Sequence, residues 1–515
     1  MNLQSLSTAI ETVSVVGTLD RDVTSICYDS RHAVAGCLFV ALPGEKVDGA
    51  HFIDIAIDRG AVAVVSEKPG LTTRATHLQV RNARQALADL AAAFYRQPSR
   101  HMKIAAVTGT NGKTTSTFLI KHILDSQFLR CGLIGTVHYV VGDRELPASR
   151  TTPESADVHE LLWQMRSAGC KSCAMEVSSH AMVLERVRGV EFDAAVFTNL
   201  TQDHLDFHGT MDAYFEAKAR LFAQIRDQKH KKGRAVINID DRFGVQLAER
   251  FGREIDVVTF GMRQGAQFRA GNVQMDFAGA SYHLDAVGKS HLVRMPFIGM
   301  FNVYNSLAAI ATAHALGINV RNAVEALADA PPVPGRLQAV PAQKPFRVFV
   351  DYAHTDDALS NVLRTLRELK PGRLICVFGC GGSRDRAKRP RMAAAVDALA
   401  DHAIITSDNP RKEDPLAIIE DIKPGFRTIV PEIVPERREA IFHAIAMAQA
   451  RDIILIAGKG HEAYQEFADH TVPFDDVAVA ASALGSRREV ATPPPTRRAN
   501  TPLPARPTGD RKEEA

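Results

Sequence analysis

The sequence predicts an α/β protein of three domains followed by a tail, and three observations predict it. The first is length: 515 residues exceed one ordinary domain and divide comfortably into three. The second is rhythm. Apolar runs such as Arg347–Val350, Leu374–Phe378, Ala403–Thr406 and Ile453–Ile456 alternate with helical stretches, a βαβ pattern that implies open parallel sheets covered by helices. The third is the polar or glycine cluster at the end of each run. Val107 leads into Gly109–Lys113, Met175 into Glu176–His180, Phe197 into Thr198–His204, and Val350 into Asp351–His354. Likewise Phe378 leads into Gly379–Arg384, Ile405 into Asp408–Arg411, and Ile456 into Gly458–Glu462. Ligands of open parallel sheets bind beyond the carboxyl ends of the strands. Two sheets with such edges predict two half-sites that close on each other.

Taken in order, residues 1–100 mix short apolar runs with turns and end in an alanine-rich helical stretch, Ala83 to Phe94; they form a smaller N-terminal α/β domain. Gln97-Pro98-Ser99 marks the break. Residues 101–335 open with the strand Lys103 to Thr108 and close at Pro331-Pro-Val-Pro-Gly335, where the prolines exclude regular helix. Residues 336–490 carry the βαβ rhythm of a C-terminal Rossmann-like domain. In 491–515 six prolines interleave with Arg, Thr and a terminal Lys-Glu-Glu, which predicts a disordered tail.

Composition narrows the function. Hydrophobic residues at 45% and charged residues at 23% are ordinary for a globular protein, and a formal net charge of +3 leaves no footprint for nucleic acid or an anionic membrane. Met1-Asn-Leu-Gln-Ser5 lacks the basic start and apolar stretch of a secretory signal, and no run is apolar for long enough to span a bilayer. The chain therefore reads as cytoplasmic, without membrane insertion. Seven cysteines, an odd number, argue against a disulfide framework. Cys170 and Cys173 form a lone CxxC, and buried reduced thiols explain them better than a metal or redox site.

Gly109-Thr110-Asn111-Gly112-Lys113-Thr114-Thr115 lies between a strand and a helix. Its glycines let backbone amides approach phosphate, and the helix amino terminus adds partial positive charge. Lys113 is placed to reach the β- and γ-phosphates and Thr114 to hold Mg2+. The standard loop has a glycine five residues before Gly112; here that position is Val107, so the loop is a shortened one with its glycine at 109. The central domain is accordingly expected to be a P-loop parallel-sheet ATPase domain.

This shortened loop, Thr108 to Thr115, resembles the signature of the Mur ligases and their relative folylpolyglutamate synthase. Glu176-Val-Ser-Ser-His180, Thr198-Asn-Leu200 with Asp203-His-Leu-Asp206, Asn302-Val-Tyr-Asn305, Gly335-Arg336 and Asp351-Tyr-Ala-His354 resemble family motifs in family order, from about residue 25 to about 480. Asp408-Asn-Pro-Arg411 and Gly458-Lys-Gly-His-Glu462 resemble the branch of the family that adds diaminopimelate. The resemblance implies an ATP-dependent ligase of peptidoglycan synthesis. Its substrates would be ATP, a UDP-linked muramoyl dipeptide bound by the N-terminal domain, and meso-diaminopimelate bound by the C-terminal one. It adds Asn302, Arg336 and Asp351 to the ATP-binding residues.

Glu176 and His204 follow strand ends and are expected to converge on Mg2+, which suits a carboxylate together with phosphate and water. His204 and His208 at i, i+4 would by themselves suggest zinc, but a third ligand pattern is missing. Lys218, in Tyr214-Phe-Glu-Ala-Lys-Ala-Arg-Leu-Phe222, reads on its residues alone as a solvated helix lysine. The resemblance implies that it carries a carbamate formed with carbon dioxide and helps to position Mg2+. The chemistry requires a neutral amine, and lysine loses its proton readily on burial.

For the UDP-linked substrate the resemblance points to Ser30, Glu45, Lys46 and Val47 at the UDP moiety, and to Thr151, Thr152, Ser178 and Arg186 at the dipeptide. Leu184 stands where some relatives carry a polar residue and receives no role. For diaminopimelate it points to Arg384, Asp408, Asn409, Pro410, Arg411, Gly458 and Glu462. Arg411 offers a planar fork suited to the distal carboxylate, with Arg384 as a second candidate, and Glu462 suits the distal ammonium. A lysine-adding relative, folylpolyglutamate synthase and a non-catalytic nucleotide-binding regulator are the competing readings. Asp356 stands where the family has proline. The base that takes the amine proton stays open between His354 and His461.

Overall fold

A computed structural model describes residues 1–44, 47–71 and 73–486. The expectations for Glu45, Lys46 and the tail at 491–515 lie outside the described residues. Three α/β units follow one another, each with apolar side chains packed on both faces of its sheet.

The first unit is a five-stranded sheet in the order Ser14–Val16, Thr76–Gln79, Ala63–Ser66, Cys37–Val40, Ser25–Cys27. All pairs are parallel except the outermost, Ser14–Val16 on Thr76–Gln79. The helix Ala83–Phe94 forms over the expected residues. Asn82 caps it, accepting from the Gln85 amide, and Leu87, Leu90 and Ala91 bury one face against Leu38, Val40 and Val65.

The central sheet has eleven strands. Its core is the parallel set Cys131–Ile134, Ser172–Glu176, Lys103–Thr108, Ala194–Phe197, Arg234–Asn238, Asp256–Gly261. Phe268–Asp276 adds to Asp256–Gly261 in parallel, and antiparallel strands extend both flanks: His138–Val141 and Arg144–Pro147 on one side, and Gly279–Ala286 and Lys289–Met295 beyond Phe268–Asp276 on the other. The signal for them is present in the chain. Residues alternate between buried and more exposed through 280–286, and Val287-Gly288, both at positive φ, supply a two-residue hairpin turn.

The third unit is a six-stranded sheet in the order Gln338–Ala339, Arg347–Asp351, Ile453–Ala457, Leu374–Phe378, His402–Ile405, Glu432–Ile433, parallel but for its first pair. A fully buried ion pair anchors its site end. Arg437 donates to Asp476 at 2.8 and 2.7 Å and to the Ala457 carbonyl at 3.0 Å, so two helices grip the strand just before Gly458. All seven cysteines are free and buried. No helix among the described residues is long and apolar enough to cross a membrane.

Candidate active site

The strand Lys103–Thr108 ends in Gly109, and the helix Lys113–Ser126 starts after Gly112. Both glycines hold positive φ. A Cβ at Gly109 would overlap the Thr198 hydroxyl, and one at Gly112 the Asn305 side-chain oxygen, so only glycine fits this loop. The loop is tied to the neighbouring strand end, with the Asn111 amide donating to Asn199 Oδ1 at 3.0 Å and Thr198 Oγ1 to the Asn111 carbonyl at 2.7 Å.

A cavity of about 650 Å3 opens over this loop, between the central and C-terminal units. Thr110 to Thr115, Thr151, Glu176, His204, Arg336 and Asp351 line it from the expected set. Gly109 turns its carbonyl to two lysines, and Asn302 lies behind Asn305, which donates to it and itself reaches the cavity. Asp240 and Tyr304, hydrogen-bonded at 2.8 Å, line the same cavity; Tyr304 lies within the motif Asn302-Val-Tyr-Asn305, which gives it no role, and Asp240 carries no sequence signal that singles it out.

Lys113 and Lys218 converge. Lys113 Nζ donates to the Gly109 carbonyl at 3.0 Å and Lys218 Nζ to the same oxygen at 2.8 Å. Lys218 is 1% exposed, with its ammonium over the Tyr214 ring. The solvated reading of its residues therefore fails: the helix Met211–Asp227 turns this lysine inward, beneath the P-loop. Burial and then the Lys113 charge push the Lys218 amine well below the usual lysine range. Burial also lowers Lys113, and the Glu176 charge opposes that shift most.

Glu176 is fully buried at the end of its strand. It accepts from Thr114 Oγ1 at 3.1 Å, from the Thr136 amide at 2.8 Å and from Thr136 Oγ1 at 3.1 Å. Arg336 reaches in from the linker and donates to Thr114 Oγ1 at 3.1 Å. His204, at positive φ, stands 3.4 Å from Asp203 with its ring against His180, while His208 is hydrogen-bonded to Ser179 at 2.9 Å. Burial lowers the His204 imidazole, which keeps a ring nitrogen unprotonated and able to act as a ligand. Among the described residues no group of three or more His, Cys, Asp and Glu side chains is placed to hold a metal by itself. The hard oxygens of Glu176 and Thr114 suit Mg2+, which takes one or two protein oxygens and completes its shell with phosphate and water.

The dipeptide candidates form one connected network on the same strand end. Thr151 and Thr136 hydroxyls lie 3.1 Å apart, and Thr152 Oγ1 donates to the Glu176 carbonyl at 2.8 Å and accepts from the Ser178 amide at 3.2 Å. Ser178 caps the helix Ser179–Val183. Arg186 donates to Glu154 at 3.0 Å and to the Thr152 carbonyl at 3.2 Å. Ser30 is buried in a short helical turn at the carboxyl end of its strand, and Val47 is exposed.

At the edge of the third sheet the loops 379–384, 408–411 and 458–462 meet. The Gly382 amide donates to the Asn409 carbonyl at 2.9 Å, and Asn409 Nδ2 to Glu462 at 2.8 Å. Lys459, fully buried and not singled out by sequence, donates to both Asn409 and Glu462 at 3.0 and 3.2 Å. Arg411 donates to the Gly382 carbonyl at 3.0 Å and to Glu466 at 2.8 Å. Gly458 leaves room for Asp408, where a Cβ would come within 2.6 Å of Oδ2; that oxygen is buried without a partner. The Pro410 carbonyl packs on Gly382, and Arg384 is exposed beside this cluster. Tyr352 joins the two half-sites: it lines the cavity, lies under the Arg336 guanidinium, and donates to Glu462 at 3.4 Å. Burial pushes the neighbouring His461 imidazole down to about 4.

The chain has close relatives among known proteins. Three family models match consecutive stretches: the Mur ligase family catalytic domain at 22–95, the Mur ligase middle domain at 107–313, and the Mur ligase glutamate ligase domain at 335–460. The UDP-N-acetylmuramoyl-L-alanyl-D-glutamate–2,6-diaminopimelate ligase of Syntrophomonas wolfei is 45% identical over 472 residues, covering 91% of this chain and 96% of that one. The enzyme of the same name from Geobacillus kaustophilus is 45% identical over 470 residues, covering 90% and 96%. A solved structure of a ligase of that name superposes with a TM-score of 0.69 at 34% identity, over 94% of this chain and 99% of that one.

Proposed function

The chain belongs to the Mur ligase family, as an ATP-dependent ligase, and from that premise we propose that it joins meso-2,6-diaminopimelate to the D-glutamyl γ-carboxylate of UDP-N-acetylmuramoyl-L-alanyl-D-glutamate in peptidoglycan synthesis. The observation that carries this reading is the meeting of Arg411, Asn409 and Glu462 at one sheet edge, joined through Tyr352 to the P-loop cavity. Fixed charges of both signs there suit the distal end of diaminopimelate, which carries a carboxylate and an ammonium.

In the proposed reaction the γ-carboxylate attacks the γ-phosphorus of ATP, giving an acyl phosphate and ADP. The diaminopimelate amine then attacks the acyl carbonyl, its proton leaves, and phosphate departs from the tetrahedral intermediate. Lys113 and the amides of 109–115 meet the charge that develops on the transferred phosphoryl group. Mg2+, when bound, neutralises phosphate charge, and Thr114, Glu176, His204 and a Lys218 carbamate would hold it. Thr151, Thr152, Ser178 and Arg186 orient the dipeptide; Asp351 shapes the linker side of the nucleotide site, accepting from the Leu337 and Ala353 amides at 2.6 and 2.7 Å. Closure between the central and C-terminal units keeps water from the acyl phosphate.

Arg411→Ala tests the assignment. Removing one partner of a desolvated charge pair costs about 2–5 kcal/mol. Because Arg411 is partly exposed and already shares Glu466, the low end applies, about thirtyfold in kcat/KM for diaminopimelate. The KM for ATP should hold, since Lys113 belongs to another unit. Lysine, which lacks the distal carboxylate, should lose far less. Equal losses for both amino acids would refute the role of Arg411.

A further inference from the structure

One cation at the edge of the third sheet is closed off from solvent. Lys459 is fully buried, whereas the Arg411, Glu462 and Glu466 side chains beside it are partly exposed. A buried ammonium is costly unless it is paired and its hydrogens are used. Lys459 Nζ donates to Asn409 Oδ1 at 3.0 Å and to Glu462 Oε2 at 3.2 Å, and lies 5.4 Å from the centre of the Tyr464 ring. Two of these partners, Asn409 and Glu462, are residues proposed to meet diaminopimelate.

The bonds from Lys459 decide how those two groups point. Asn409 Oδ1 accepts from Lys459 and also from the Glu466 amide at 3.1 Å. Turning the Asn409 amide over would set its NH2 group against two donors, so Nδ2 stays on Glu462 at 2.8 Å. Glu462 Oε2 in turn accepts from Lys459 and Asn409 together. That leaves Oε1, which accepts from Tyr352 at the long distance of 3.4 Å, as the oxygen turned to a ligand. The same network reaches the other end of the pocket: Glu466, whose amide meets Asn409, holds Arg411 through its carboxylate at 2.8 Å.

We propose that Lys459 is a positioning residue of the amino-acid site, which sets Asn409 and Glu462 so that one carboxylate oxygen is presented to the distal ammonium of diaminopimelate. The inference rests on the proposed role of this edge in holding that amino acid. Being covered, Lys459 acts through its two partners and not on the substrate. An uncharged, non-donating side chain at 459 frees the Asn409 amide to rotate and takes one of two partners from Glu462 Oε2, so affinity falls although both ligand-facing groups remain.

The test is steady-state ligation by the full chain with ATP, Mg2+ and the UDP-linked muramoyl dipeptide. Lys459→Met should raise the KM for diaminopimelate about ten- to hundredfold, the worth of hydrogen bonds to charged groups, and leave the KM for ATP and for the muramoyl dipeptide as in the parent. Lys459→Gln keeps a donor without the charge and should fall between; it carries the same comparison if the methionine variant does not fold. A double-mutant cycle separates positioning from mere support. If Lys459 works through Glu462, Lys459→Met should cost little more once Glu462→Gln is in place, whereas a lysine that only braces the fold would add its full loss again. A parent-like KM for diaminopimelate in both Lys459 variants, a rise in all three KM values together, or losses that multiply in the double variant would overturn the proposal. A parent that does not use diaminopimelate at all would instead overturn the reading on which it rests.

Discussion

Lys113→Ala should lower turnover by about a thousandfold or more while leaving the protein folded, the largest effect expected of any single change. The ammonium sits at the mouth of the P-loop, held by the Gly109 and Thr110 carbonyls at 3.0 and 2.9 Å. It contributes charge where the γ-phosphate would lie. The fold does not depend on it, because the loop is braced separately by Thr198 and Asn199. The checks are phosphate release under saturating substrates and the thermal midpoint of each protein. A folded variant that ligates at near-parent rates would end the nucleotide assignment.

Lys218→Ala should fall nearly as far, by about a hundredfold or more, on the scale of removing one preorganised charge from a phosphoryl-transfer site. Lys218, itself buried, shares one carbonyl oxygen with Lys113, so two ammonium groups there repel each other. The repulsion ends if the Lys218 amine gives up its proton and bonds to carbon dioxide, becoming an anion beside Lys113. Its lowered pKa supplies the neutral amine that this addition needs, and supplies more of it as pH rises. Labelled bicarbonate should yield a carbamate carbon signal in the parent and none in Lys218→Ala. Lys218→Arg should not restore activity, because a guanidinium forms no such adduct; full activity of that variant would rule the carbamate out.

The regular elements were legible because they depend on local pattern. Ala83–Phe94, Lys103–Thr108 and Leu374–Phe378 form over the residues that the pattern marks, Ile453–Ala457 runs one residue longer than expected, and His402–Ile405 is shifted by one residue at both ends from the expected Ala403–Thr406. The loops after these strands converge as the parallel topology requires. The antiparallel strands between 268 and 295 escaped, although their alternation and the Val287-Gly288 turn are visible in the chain. A P-loop opening favours the expectation of a purely parallel sheet.

Side-chain surroundings were far less legible. Nothing local to Lys218 shows that it is buried, since its acceptor, Gly109, lies 109 residues away. Arg411 reads as a free fork, yet Glu466, 55 residues on, already holds one edge of it. Lys459 lies inside a motif whose glycines and glutamate stand out, while the structure makes it the cation joining Asn409 to Glu462. Such pairings are tertiary, and only the fold reveals them.

If this chain spends ATP to couple diaminopimelate to a UDP-linked muramoyl dipeptide, phosphate release by the parent protein shows it most directly. With ATP, Mg2+ and UDP-N-acetylmuramoyl-L-alanyl-D-glutamate present, steady release should require meso-diaminopimelate and should match the tripeptide product one for one. Lysine at the same concentration should support little. Release that ignores the amino acid, or that lysine drives better than diaminopimelate, would contradict the account.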